Sequence, residues 1–188
     1  MAHVEFTALW LPILLSAVFV FLLSWIIHMF LPYHRSDYGK LPKEDEVADA
    51  LRAFAIPRGD YMLPCGGGAE SMKDPKFLER LKKGPVLTMT VMKPGMFDMG
   101  PTLMQWFFYC ALLSVFSAYV AGRALAPGAS YLEVFRFAGV TAFASYALGG
   151  WQNSIWYQKS WATTMKNTFD GLLYGLVTAG TFGWLWPK

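Results

Sequence analysis

Apolar residues fall in four long runs, each long enough to cross a bilayer as a helix, which takes about 20 residues. The first, residues 6–31, contains no Lys, Arg, Asp or Glu, and its one ionisable side chain is His28 near its end. The others are residues 102–122, 134–156 and 169–186. Arg136 lies in the first turn of the third run. Glu133, three residues earlier on the same helical face, is placed to neutralise it while the guanidinium snorkels outward. Trp10, Trp25, Trp106, Trp151, Trp156, Trp161, Trp184 and Trp186 mostly fall near the ends of the runs, where an amphipathic indole favours the headgroup layer. The aromatic finish ending in Trp184 and Trp186 reads as an interfacial anchor.

Between the first and second runs the pattern shortens and becomes polar. Leu41-Pro42-Lys43 followed by Glu44, Asp45 and Glu46 reads as a helix start, with carboxylates where the helix dipole favours them. Val47, Leu51 and Phe54 line one face, and Pro57 with Gly59 stops the helix. Residues 60–64 and 86–92 suit short strands. Asp74-Pro75 opens a second short helix that Gly84 closes. The fold expected is therefore a membrane all-α protein of four transmembrane helices, with a small α/β extramembrane subdomain inserted between helices 1 and 2. Its segments are an N-terminal helix (1–32), the polar subdomain (33–100) and a three-helix bundle (101–188). So small a subdomain has little core of its own and is expected to lean on the membrane helices or on a partner.

Charge sets the orientation. The segments following runs one and three carry 13 of the 16 Lys and Arg residues, among them Arg35, Lys40 and Lys43 close to the membrane. The positive-inside rule then puts residues 33–100 on the cytoplasmic side and both termini on the other. A cleaved signal peptide fits poorly, because no basic n-region precedes a first run too long for an h-region. The general look is that of a small bacterial inner-membrane protein. The net charge of +3 is mild, and basic and acidic residues interleave in the subdomain, which argues against a nucleic-acid surface.

Three features carry candidate chemistry. Gly66, Gly67 and Gly68 precede a helix and form a candidate anion loop, since successive backbone N–H groups can converge on a phosphate or headgroup. No Gly-Lys-Ser/Thr closes the loop as in a P-loop, and a plain turn is the simpler reading. Cys65 has no cysteine or histidine at a useful spacing, and Cys110 lies within the second run. Met89, Met92, Met96 and Met99 are soft thioethers, candidate Cu(I) ligands, although Pro94 and Gly95 break their spacing and methionine is an ordinary apolar filler. His28 and Asp170 form a candidate polar pair, because the topology brings the end of the first run and the start of the fourth to one membrane face. Lys166 stands four residues before Asp170.

The middles of the runs hold no acid or base, which weighs against an ion-coupled transporter. Small residues instead recur every fourth position, Gly171, Gly175, Ala179 and Gly183 on the last run and Ser114, Ala118 and Gly122 on the second. Thr141, Ser145 and Gly149 make a shorter stripe on the third. Such stripes let helices approach closely, within the chain or against another subunit. Gln152 and Asn153 near the end of the third run suit interhelical bonds or the oxygen of a headgroup or quinone. No cofactor or metal is implied.

The expectation is a non-catalytic structural, accessory or assembly subunit of a membrane complex, with lipids and other membrane subunits or a second copy as partners. The competing expectation is a lipid- or quinone-associated membrane enzyme whose polar groups come from His34, Asp37, Cys65, Asp170 and Asn153. A small transporter or copper-handling protein is the third.

Overall fold

The computed structural model describes residues 3–96 and 98–188 and divides into two compact units, Gly39–Phe97 and the remainder. The polar unit is shorter than the expected 33–100. Residues 33–38 belong to the helical unit because their side chains bond to its last helix, at Asp170 and Lys166.

In the helical unit a 3₁₀ turn (Phe6–Leu9) leads into α1 (Trp10–Phe30), and the two form one apolar stretch. A second 3₁₀ turn, Pro32–Ser36, comes directly after it. Beyond the polar unit come α4 (Met99–Ala124), α5 (Tyr131–Ala147), the short α6 (Trp151–Tyr157) and α7 (Trp161–Trp184). Two helices, Phe6–Phe30 and Met99–Ala124, are long and apolar enough to cross a membrane. Length and hydropathy do not support four spans. α5 has 17 residues, because Gly149 and Gly150, poor helix formers, break the run expected over 134–156. α7 starts eight residues earlier than expected, with the Ser160 hydroxyl accepting from the Thr163 N–H, so its first turns carry Thr163, Lys166, Asn167 and Asp170.

The helices pack through small residues. On α7, a Cβ added to Gly171 would lie 2.8 Å from Ala147 Cβ, and one at Gly175 would lie 3.1 Å from the Phe143 backbone nitrogen. Ala179 fills the space over Gly139, and Gly183 lies under the Tyr131 ring. The α7 stripe is therefore covered by α5. On α4, Ser114, Ala118 and Gly122 are buried, with Gly122 against Leu9. The stripe expected on α5 is displaced. Thr141 and Ser145 bond back to carbonyls of their own helix, Gly149 faces open space, and Val134, Ala138, Ala142 and Ala147 are the buried residues.

One core cluster joins Val4, Leu9, Ala118, Val134 and Phe182, and another joins Val20, Ile27, Cys110 and Tyr174. The first lies at the start of α1 and the end of α7, the second toward the other end of each. Trp186 belongs to the first, buried with its indole N–H on the Ala126 carbonyl at 3.0 Å. It is a core residue, whereas Trp184 is exposed. Glu133 is not paired with Arg136. Its carboxylate accepts from the Ser130 backbone N–H (2.9 Å) and hydroxyl (2.7 Å) and caps α5.

The polar unit contains α2 (Glu44–Ala53), α3 (Pro75–Lys83) and a two-stranded antiparallel sheet of β1 (Gly59–Leu63) and β2 (Leu87–Val91), with Tyr61 opposite Met89. Asp74 caps α3 by accepting from the Lys76 N–H at 3.0 Å. Among its described residues only Pro64 and Phe77 are buried, which is the small core expected of so short a segment.

Candidate functional site

α1 runs almost at once into Pro32, which cannot continue its hydrogen-bond ladder, and the chain tightens into the 3₁₀ turn Pro32–Ser36. In such a turn residues three apart project in nearly one direction. His34 and Asp37 are thereby aligned, and with the neighbouring Tyr33 they meet the first turns of α7. The Tyr33 hydroxyl donates to Asp170 Oδ1. His34 Nε2 lies 2.8 Å from Asp170 Oδ2, and His34 Nδ1 lies 2.6 Å from Asp37 Oδ2. Lys166, one turn before Asp170, donates to Asp37 Oδ1 and to Ser36 Oγ, both at 2.8 Å.

His34 thus stands between two carboxylates. A neutral imidazole has one N–H, so both contacts are hydrogen bonds to ionised carboxylates only when the ring holds two protons. In that state two cations, His34 and Lys166, balance Asp37 and Asp170. Burial pushes the Asp37 carboxyl up, but the bonds from Lys166 and His34 outweigh it and hold the group below the usual carboxylate range. Burial, reinforced by the bond to Asp170, pushes the Tyr33 hydroxyl well above its ordinary value, so it remains a donor. Asp170 is 3% exposed. Its two oxygens are met by the Tyr33 hydroxyl and the His34 ring, so the buried group is not left without partners.

Asp170 also borders a cavity of about 390 Å³. His28 and Asp170 line it together with Asn153, Asn167, Trp106, Tyr109, Tyr146 and Tyr174. The Tyr174 hydroxyl is buried without a hydrogen-bond partner among the described residues. The Tyr146 hydroxyl likewise lacks a nitrogen or oxygen partner and lies beside the Cys110 thiol, a weak one. Leaving such a group unpaired costs about 1–3 kcal/mol. The recess is therefore lined by two tyrosines whose buried hydroxyls lack a nitrogen or oxygen partner among the described residues, by two asparagines and by His28 and Asp170.

No protein-family model, curated protein or solved structure matches this chain.

Of the residues singled out from the sequence, His28 and Asp170 are brought together, with donor atoms of His28, His34 and Asp170 all within 4.8 Å of one another. The direct partners of Asp170 are nevertheless His34 and Tyr33. Lys166 serves Asp37 rather than its helix neighbour. Asn153 joins the same recess. Cys65 lies in the polar unit and is exposed. Gly66 is small because a Cβ there would lie 2.9 Å from the Phe77 ring, and Gly68 takes φ +106° to form a turn whose carbonyl accepts from Ser71. The segment after Gly68 is a five-residue 3₁₀ turn bearing Glu70, so the dipole and charge arguments for an anion there fall away. Met89, Met92 and Met96 lie in the polar unit, Met92 and Met96 exposed, while Met99 opens α4.

Tyr33, Tyr146 and Tyr174 were not among the residues expected from the sequence. For Tyr146 and Tyr174 the available signal was polarity in the wrong place, a phenol within an apolar run that must find a partner inside the bundle.

Proposed function

We propose that this chain is a membrane protein that binds an amphiphile with a flat, oxygen-bearing head group of the quinone type in the recess between Asp170 and the aromatic wall. The observation that carries this reading is the unpartnered, buried Tyr174 hydroxyl in the same cavity as His28, Asp170 and Asn153. Aromatic faces stack on a planar ring, while phenols, an amide and a His–Asp pair meet its oxygens and exchange protons with them. The accessory-subunit expectation rested on the scarcity of convergent catalytic groups and on the α7 stripe and aromatic ends as surfaces for other helices or lipids; of these, the α7 stripe packs against α5.

In this reading α5 and α7 cross the membrane beside α1 and α4. The packing supports it. Phe182 near the end of α7 meets Leu9 at the start of α1, and Asp170 meets the turn just past α1, so the two helices run antiparallel over the same height. The outward residues Leu132 and Val140 of α5 and Phe169, Leu172 and Leu176 of α7 are exposed and apolar, as lipid-facing positions are. The charge asymmetry supports a cytoplasmic position for residues 33–100.

The test is binding of a short-chain benzoquinone to the detergent-solubilised protein, monitored by quenching of tryptophan fluorescence. Thr163 lines the cavity, and Thr163→Trp narrows it while leaving every residue of the polar cluster in place. Saturable binding that weakens at least tenfold in this variant is expected. Quenching that is non-saturable, or equal in both proteins, would sink the proposal.

A further inference from the structure

We propose that His28, His34 and Asp170 form a binding site for a single divalent transition metal of the zinc class, with its open coordination position facing the aromatic recess. One donor atom from each residue lies within 4.8 Å of the others. In a tetrahedral site with bonds near 2.0–2.1 Å, donors stand roughly 3.3 Å apart. His34 Nε2 and Asp170 Oδ2, at 2.8 Å, are slightly closer than that. His28 is exposed at the end of α1, and its ring centroid lies 4.6 Å from that of His34.

The trio differs from a chance cluster in how its members are held. A metal-bound histidine characteristically gives its second ring nitrogen to a carboxylate, which fixes its tautomer and aims the first nitrogen at the ion. His34 has that arrangement: Asp37 takes Nδ1, leaving Nε2 toward Asp170, and Asp37 is itself held by Lys166. Asp170 is oriented in the same way, with the Tyr33 hydroxyl on Oδ1 leaving Oδ2 for the ion. Two imidazoles and one carboxylate with a free position is a donor set used by zinc and other divalent first-row ions. When the ion binds, it replaces the proton shared between His34 and Asp170. The dication and Lys166 then face the Asp37 and Asp170 carboxylates, leaving one positive charge for an anionic or strongly polar oxygen. Both unspent phenols, Tyr146 and Tyr174, line the same recess. The role of that open position rests on the reading of the recess as a ligand site; the metal site itself stands on the three donors and their supports.

The experiment is a titration of the chelator-stripped, full-length protein in detergent with Co²⁺ alone, monitored by visible absorption and checked by competition with Zn²⁺. One Co²⁺ per chain is expected, with the intense band of a four-coordinate ion. His28→Gln and His34→Gln should each weaken binding at least tenfold. Asp37→Asn, which does not touch the ion, should weaken it about 10–100-fold. His28→Gln alters an exposed side chain and decides the matter if the His34 variant does not fold. Absence of the band, or an unchanged band in the His28→Gln/His34→Gln protein, overturns the site. Benzoquinone binding measured on the same stripped protein separates the two ideas. Cobalt binding without saturable quinone binding leaves the metal site standing and removes the ligand reading, and the converse removes the metal.

Discussion

Asp37 carries the clearest consequence at the level of single residues. Its carboxyl, bonded to Lys166 and His34, is held below its unfolded value of about 3.9. A group of this kind contributes stability that is fully present above the unfolded pKa and lost as pH falls through the folded one. The metal-free protein should hold its melting temperature from neutrality to about pH 5 and lose it below about pH 4. Asp37→Asn should flatten that acid limb, and superimposable melting curves for the two proteins would contradict the role given to Asp37. His28 and Asp170 were legible as a pair from topology alone, since both stood at run ends assigned to one face. The true partners of Asp170 were not. His34 reads as a juxtamembrane polar residue until the Pro32 turn is known to align it with Asp37 beside Tyr33. Likewise, Tyr174 looks like one more aromatic in an apolar helix until its hydroxyl is seen to be stranded.

Among the elements, the four-residue stripe on α7 was readable because close helix approach needs the absence of a Cβ, and Gly171, Gly175 and Gly183 meet atoms of α5 where that Cβ would be. The stripe on α5 was misplaced by the same logic. Hydroxyls of Thr and Ser satisfy themselves on their own helix and need no neighbour, whereas Gly139, Phe143 and Ala147, inconspicuous in sequence, make the contact. Run length misled at Gly149-Gly150, where hydropathy continued but the helix did not. Gly175→Ala brings a methyl to 3.1 Å from the Phe143 backbone nitrogen and 3.2 Å from the Gly139 carbonyl, neither of which a side-chain rotation relieves. It should destabilise the bundle by about 1–3 kcal/mol. Gly149→Ala, with nothing within 4 Å, should fall within about 0.5 kcal/mol of the parent. Thermal unfolding in detergent compares them, and equal melting points would mean that α5 and α7 do not pack through this stripe.

For the whole molecule, the orientation and the site are separate claims with separate tests. Cys65 is exposed in the polar unit and Cys110 is buried in α4, so a membrane-impermeant maleimide reads out Cys65 alone. Labelling is expected only after the cytoplasmic side is opened, and labelling of intact cells would reverse the orientation. Everything proposed for the site depends on two segments 136 residues apart in sequence meeting at His34 and Asp170. A double-mutant cycle of His34→Ala and Asp170→Ala, read as unfolding free energy in detergent, addresses that meeting directly. Residues in one buried polar network should couple by about 0.5–3 kcal/mol, the double variant losing less than the sum of the singles. Strict additivity would mean that the turn after α1 and the first turns of α7 do not meet, and the site they build would not exist.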